Sequence, residues 1–207
     1  MRAKNVDFEV TYINLRDKPD WFLALSPHGK VPMLQVDGRP LFESNAIAEY
    51  LDEELPPRLH PEDAFRRARH RAWTDFAPDF ASALSGVYWT KGAEEIGAKV
   101  ETAARHVAKL EEALAAERSG DGPYFNDRRL CLVDAAYAPF LQRFAFVESY
   151  LETRLLDDFP LVQAWSDALL ADEAVAGSVP SSFEAEFAAS IRKRGFYVGT
   201  LLANAAA

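Results

Sequence analysis

Residues 30–43 read KVPMLQVDGRPLFE, two short, largely apolar runs on either side of an Asp37-Gly38 pair. Asp-Gly tolerates the positive φ angles that a two-residue hairpin turn requires. The stretch therefore predicts two antiparallel strands, over residues 30–36 and 39–43. This hairpin is the centre around which the neighbouring elements can be placed.

The segments on both sides of the hairpin complete an α/β unit. Residues 6–15 alternate apolar and polar side chains, which is the period of a half-buried strand. Residues 17–25 predict a short helix entered through a proline and ended by Ser-Pro-His-Gly. After the hairpin, apolar residues at helical spacing run from Ser44 to the Pro56-Pro57 pair. The predicted order is β-α-β-β-α.

Beyond Pro56-Pro57 the chain changes to long helical patterns separated by short turns. We therefore predict two domains, an α/β domain over residues 1–56 and an all-helical domain over residues 61–207. The predicted helices cover about Pro61–Thr90, Ala98–Glu117, Leu132–Tyr150, Leu161–Asp172 and Ser182–Leu202.

Composition excludes several function classes. With 23 Lys+Arg against 32 Asp+Glu, the net charge of −9 repels a nucleic-acid backbone and an anionic membrane, so neither is expected as a partner. The single cysteine, Cys131, forms no intrachain disulfide, and no leader-like or membrane-spanning apolar run is present, so we expect a cytoplasmic location. The four histidines lack metal-site spacing, so no metal is expected.

Two motifs that flank the hairpin, SPHGKVP at 26–32 and LFESNAIAEYL at 41–51, resemble the N-terminal domain of cytosolic glutathione transferases. The resemblance implies a thioredoxin-like domain followed by an all-helical domain that contributes the electrophile pocket. It also implies glutathione as co-substrate and a homodimer. The chain resembles a bacterial member of this family, and its run KPDWF at 18–22 is more similar to the omega-like or dehydroascorbate-reductase-like classes than to the tyrosine-dependent classes.

The first part of the implied site is a strand edge. Pro32 stands where a strand begins and has no N–H to donate, whereas Val31 keeps both its N–H and its C=O. The resemblance implies that Pro32 is a structural cis-proline, which turns the backbone of Val31 outward. A peptide such as glutathione can then pair with Val31 as an added strand.

The second part supplies charge partners. Ser44 opens a helix, where its N–H and hydroxyl can bind the γ-glutamyl carboxylate, and Glu43 can neutralise nearby positive charge. Lys30 and Lys18 can reach the glycyl carboxylate. Taken alone, each piece has an ordinary structural explanation: a helix start for Glu43-Ser44, strand packing for Val31-Pro32 and a solvated surface for the two lysines. Their combination around one hairpin favours a glutathione site.

The resemblance also implies elements that residues 1–15 do not contain. A first strand and helix should precede the strand at 6–15, with an activating Ser, Tyr or Cys where they join, and Met1–Val6 resembles only the closing turn of that helix. We therefore expect no catalytic residue in this chain. A start site placed too far downstream is the favoured explanation. Truncation and a partner's segment filling the gap are the alternatives.

Cys131 is better explained by folding than by catalysis. It precedes Leu132-Val133-Asp134, where the family commonly shows a capping box, so Asp134 is predicted to cap the helix that starts there. The expected function is binding of glutathione and its transfer to an electrophile or its exchange with a disulfide. The alternative is a non-catalytic protein-interaction module of the stringent-starvation type, against which Lys30 and the Glu43-Ser44 pair argue.

Overall fold

The computed structural model describes residues 1–118 and 120–204, and the chain divides into two compact units, Met1–Pro61 and Glu62–Ala207. The N-terminal unit is α/β and the C-terminal unit is all-helical, so the predicted fold class is confirmed. Among the described residues, no helix is long and apolar enough to cross a membrane.

The N-terminal unit is built on the predicted hairpin. Its two strands pair antiparallel, with Met33 opposite Phe42, and the turn between them has Asp37 at φ 48 and Gly38 at φ 78. Asp and Gly tolerate these positive φ angles at little cost, which explains the turn. The elements of this unit are a 3₁₀ turn at Arg2–Lys4, α1 at Asp20–Leu25, β1 at Met33–Val36, β2 at Arg39–Phe42 and α2 at Ser44–Glu54.

The strand predicted over residues 6–15 is not formed. Among the residues that the structure describes, the sheet has two strands, and residues 6–14 lie outside every helix and strand. A strand needs a neighbour for its ladder of hydrogen bonds, and no described residue pairs with this segment. Its apolar side chains are correspondingly exposed, with Phe8 at 37%, Val10 at 55% and Tyr12 at 71%. The order is therefore α-β-β-α behind an unpaired segment.

A buried ion pair fastens the start of the chain to the end of α2. The Nζ of Lys4 lies 2.8 Å from Oδ1 of Asp52 and also donates to the carbonyl oxygens of Leu55 at 2.6 Å and Pro57 at 2.7 Å. The same Asp52 carboxylate accepts the backbone N–H of Leu59 and of His60. All three ammonium donors are therefore satisfied, which a buried lysine requires.

The C-terminal unit follows the predicted helical pattern with two differences. The single helix predicted over Ser182–Leu202 is interrupted, because Gly195 adopts φ 66 and ends the first part in the left-handed conformation typical of a helix C-terminus. A short helix also follows Asp172, whose side chain caps it. The helices are α3 at Ala64–Tyr88, α4 at Ile96–Glu117, α5 at Leu132–Leu151, α6 at Pro160–Ala171, α7 at Glu173–Ala176, α8 at Phe183–Arg194 and α9 at Tyr197–Asn204, with a 3₁₀ turn at Ala93–Glu95.

The core of this unit is aromatic at its centre. Tyr137 is fully buried and stacks at a tilt on Phe80, with ring centroids 5.1 Å apart, and on Trp165, with centroids 5.4 Å apart. Aromatic pairs at these separations add to the free energy gained by burial alone. The hydroxyl of Tyr137 donates to the carbonyl oxygen of Trp73 at 2.7 Å, so its polar end is paired as well.

Candidate functional site

The candidate site lies at the open end of the β1–β2 hairpin. Because Met33 is opposite Phe42, the residues just before β1 and just after β2 leave the sheet at the same end. Lys30 and Val31 are on the first of these segments, and Glu43 and Ser44 are on the second. Antiparallel pairing thus brings together four residues that are up to 14 positions apart in sequence.

The first segment presents an unpaired backbone. The Val31–Pro32 peptide bond is cis, and Val31 is 48% exposed. Neither the N–H nor the C=O of Val31 forms a hydrogen bond with any described residue, whereas the ladder begins at Met33. An extended ligand could therefore pair with this backbone as an added strand.

A tight turn fixes the approach to Val31. The N–H of Gly29 donates to the carbonyl oxygen of Ser26 at 3.0 Å, and the Ser26 hydroxyl donates to that of Lys30 at 3.2 Å. Gly29 has φ 57, which glycine adopts without the Cβ clash of other residues. The buried Ser26 thus holds both ends of the turn, and His28 lies within it.

The second segment presents the N-terminus of α2. Ser44 is the first residue of this 11-residue helix and is exposed, and the side chain of the N-cap residue, Glu43, makes no capping hydrogen bond. The first intrahelical bond runs from the N–H of Ile47 to the carbonyl oxygen of Glu43, at 2.9 Å. The preceding N–H groups of the first turn remain available, and with the helix dipole they favour an anion.

Glu43 and His28 connect the two segments, a contact that the sequence did not predict. Nδ1 of His28 lies 3.0 Å from Oε1 of Glu43, and the His28 ring packs edge-on against Phe42 with centroids 5.3 Å apart. Histidine in a Ser-Pro-His-Gly turn gives no signal of its own, so the sequence assigns His28 no role. The relevant signal was the hairpin register, which brings this turn close to Glu43.

The two lysines predicted to bind a carboxylate differ in position. Lys30 directly precedes Val31 and is exposed, so it belongs to the open end of the hairpin. Lys18 precedes α1 and is half-buried, and no contact among the described residues links it to the other site residues. Neither ammonium group pairs with a described residue. The role of Lys18 stays a prediction.

Asp134 lies at a separate, structural cluster in the helical unit. Its Oδ2 accepts the N–H of Cys131 at 2.7 Å, and its Oδ1 accepts both the N–H of Phe125 at 2.9 Å and Nε1 of Trp165 at 2.6 Å. Sequence reasoning identified the local contact with Cys131, but the contacts with Phe125 and Trp165 were missed. Nothing local to 131–134 indicates them.

Burial is the main cause of the pKa shifts in this cluster. It raises the pKa of Asp134, although the hydrogen bonds from Phe125, Cys131 and Trp165 act in the opposite direction. It also raises the pKa of the Cys131 thiol well above its ordinary value, assisted by the nearby Asp134 carboxylate. A buried thiol with a raised pKa is a poor nucleophile, which argues against catalysis at Cys131.

Within residues 1–118 and 120–204, no group of three or more His, Cys, Asp or Glu could hold a metal ion.

Comparison with known proteins identifies two family domains in the chain. Residues 1–54 match the glutathione S-transferase N-terminal domain, and residues 65–168 match the glutathione S-transferase C-terminal domain. A probable glutathione S-transferase of Oryza sativa subsp. japonica is 32% identical, over 87% of this chain and 80% of that protein. Glutathione S-transferase omega-1 of Rattus norvegicus is 29% identical, over 86% of this chain and 72% of that protein.

A solved structure extends the similarity to three dimensions. Rice GST1 in complex with glutathione superposes with a TM-score of 0.77 at 29% sequence identity. The superposition covers 93% of this chain and 89% of the rice protein. The fold is therefore shared across both units.

Proposed function

The chain belongs to the glutathione S-transferase family, and from that premise we propose that it binds glutathione at the open end of the hairpin and transfers it to an electrophile or exchanges it with a disulfide. The observation that carries the proposal is the juxtaposition of an unpaired Val31 backbone with the uncapped N-terminus of α2. The crystallised rice relative with glutathione bound supports the choice of ligand.

The chemistry of glutathione matches these groups one by one. Its cysteinyl backbone can pair with the N–H and C=O of Val31, and its γ-glutamyl carboxylate suits the first turn of α2 at Ser44. Lys30 supplies a positive charge for the glycyl carboxylate, with Lys18 as a second candidate. These contacts position the peptide so that its thiol, once deprotonated, can attack a second substrate.

Retention on immobilised glutathione tests this proposal. Because Ser44→Ala removes the hydroxyl and Lys30→Ala removes the charge, each should reduce retention. Two matched controls in the helical unit, Ser82→Ala and Lys99→Ala, replace exposed residues of the same types and should leave retention unchanged. If the folded protein is not retained at all, the proposal fails and the non-catalytic protein-interaction module becomes the better explanation.

Two kinds of second substrate can distinguish the two types of reaction. Thiolate attack on an activated aryl chloride releases chloride and forms a thioether, whereas attack on a mixed disulfide releases the other thiol. Assaying both substrates with the same preparation distinguishes transfer from exchange. We also propose a homodimer in a cytoplasmic location, for which sedimentation analysis and fractionation of the host cell are the direct measurements.

A further inference from the structure

The contact between His28 and Glu43 is too exposed to matter much for stability. The two side chains are 53% and 57% exposed, and polar contacts this open to solvent contribute little to stability. Its location is more informative, because it joins the turn before Val31 to the residue before Ser44. The pair therefore spans the open end of the hairpin, where the proposed glutathione site lies.

The backbone of Glu43 has an unusual conformation. Glu43 adopts φ 67 and ψ 119, a conformation that few residues other than glycine adopt. Conformations of this kind persist where the surrounding structure imposes them, and they are concentrated at functional sites. Here the positive φ marks the point at which the chain leaves β2 and enters α2.

Only one of the two carboxylate oxygens of Glu43 is engaged. Oε1 faces Nδ1 of His28 at 3.0 Å, while Oε2 accepts no hydrogen bond within the described part of the chain. Nδ1 carries the proton in this contact, because a carboxylate oxygen can only accept. The remaining oxygen is thus available to a cationic donor.

His28 is held at both its side chain and its backbone. The imidazole and the Phe42 ring pack in an edge-to-face arrangement, and the backbone of His28 lies in the turn closed by Gly29 and Ser26. A donor fixed in this way restricts the rotamers of Glu43, whereas a solvated carboxylate would sample several. Restricting a binding group in advance lowers the entropy cost of binding.

We propose that His28 is a positioning residue, which orients the Glu43 carboxylate to receive the α-ammonium group of a γ-glutamyl ligand. In such a ligand the ammonium and the α-carboxylate are on the same carbon, just as Glu43 and Ser44 are adjacent in the chain. A carboxylate bound at the start of α2 therefore places the ammonium beside Glu43. This inference rests on the proposed binding of glutathione.

The test compares glutathione with glutaryl-cysteinyl-glycine, which lacks only the α-amino group. His28→Phe keeps an aromatic ring against Phe42 but removes the donor, whereas His28→Asn keeps a donor near the Nδ1 position. We expect His28→Phe to weaken glutathione binding about fivefold, which corresponds to about 1 kcal/mol of binding free energy. The affinity of His28→Asn for glutathione should lie within about twofold of that of the unmodified protein.

Titration calorimetry with both peptides separates the outcomes. The desamino peptide should bind equally to the unmodified protein and to His28→Phe, and in a Glu43→Gln background His28→Phe should have no further effect on glutathione. Equal weakening of both peptides, or no weakening of either, overturns the positioning role while leaving the proposed function intact. Failure of the unmodified protein to bind either peptide overturns both.

Discussion

The two units bury their polar groups in different ways. The helical unit, Glu62–Ala207, encloses an aromatic core with one ionisable hub, Asp134, whose three partners are all neutral donors. The N-terminal unit, Met1–Pro61, buries only Phe22 and Ile47 among its apolar side chains and relies on the Lys4–Asp52 ion pair. The helical unit is therefore stabilised mainly by packing, and the N-terminal unit depends on charge.

The pKa values of Asp52 and Asp134 shift in opposite directions, in line with this difference between the units. Burial would raise the pKa of Asp52, but the Lys4 ammonium and the N–H groups of Leu59 and His60 outweigh it, and the pKa lies below its ordinary value. For Asp134, burial outweighs the hydrogen bonds, and the pKa is raised. The shifts differ in sign because Asp134 is enclosed more deeply and accepts its hydrogen bonds from neutral donors, whereas Asp52 accepts one from the Lys4 ammonium.

The largest expected effect is that of Asp134→Ala in the helical unit. It leaves the N–H groups of Cys131 and Phe125 and Nε1 of Trp165 without an acceptor, and each buried donor left unpaired costs about 1–3 kcal/mol. We expect the free energy of unfolding to fall by about 5 kcal/mol in total. Circular dichroism during denaturant titration measures it.

Asp134→Asn is the matched control for this substitution. The amide keeps one oxygen as an acceptor but presents an N–H₂ group to the other side, so its cost should be about half as large. If the alanine variant were no less stable than the asparagine variant, Asp134 would not be the hub of the helical core.

A smaller effect is expected from Lys4→Met in the N-terminal unit. Methionine has a similar length but leaves the buried Asp52 carboxylate without its ammonium partner, and breaking a buried pair costs about 3 kcal/mol. Hydrogen exchange should show faster opening of α1, α2 and the hairpin, with the helical unit unchanged. Arg2→Met, an exposed position in the same 3₁₀ turn, is the control.

Lowering the pH should change the stability of the two units in opposite directions, and the same hydrogen-exchange experiment measures this. Since the pKa of Asp52 is lowered in the folded protein, its contribution to stability is present above the ordinary value of about 4 and is lost as the pH falls through the folded value. The raised pKa of Asp134 has the opposite sign, so protonation there favours the folded state. Lys4→Met should abolish most of the acid sensitivity of residues 1–61. A response that persists unchanged would contradict the assignment to Asp52.

The sequence predicts those features whose causes are local. Asp37-Gly38 indicates the hairpin because the turn depends on these two residues, and the helix periods depend only on neighbours three and four positions apart. The alternating pattern of residues 6–15 indicates a strand as clearly as Asp37-Gly38 indicates the hairpin. A strand forms only with a partner strand, however, and the local sequence does not specify that partner. This is why the hairpin was predicted correctly and the strand was not.

The missed contacts in the site and the core have the same origin. Lys4 and Asp52 are 48 residues apart, Asp134 and Trp165 are 31 apart, and His28 and Glu43 are 15 apart. Charged residues on a chain with a net charge of −9 have many candidate partners, and composition cannot select one. The residues at the open hairpin end could be proposed as a site from sequence, because they immediately flank an element that the sequence does predict.

The smallest expected effect compares one substitution in both units. Gly38, at φ 78, and Gly195, at φ 66, both have open space where a Cβ would lie, so alanine at either position adds backbone strain without a steric clash. Each should cost about 1 kcal/mol. In the charge-dependent unit, we expect Gly38→Ala to accelerate amide exchange throughout the hairpin and α2, because few buried side chains hold these elements independently. In the packed unit, Gly195→Ala should affect only the end of α8 and α9, while α3 to α6 keep their protection. If exchange spread equally far in both units, the contrast between packing and charge would not describe their stability.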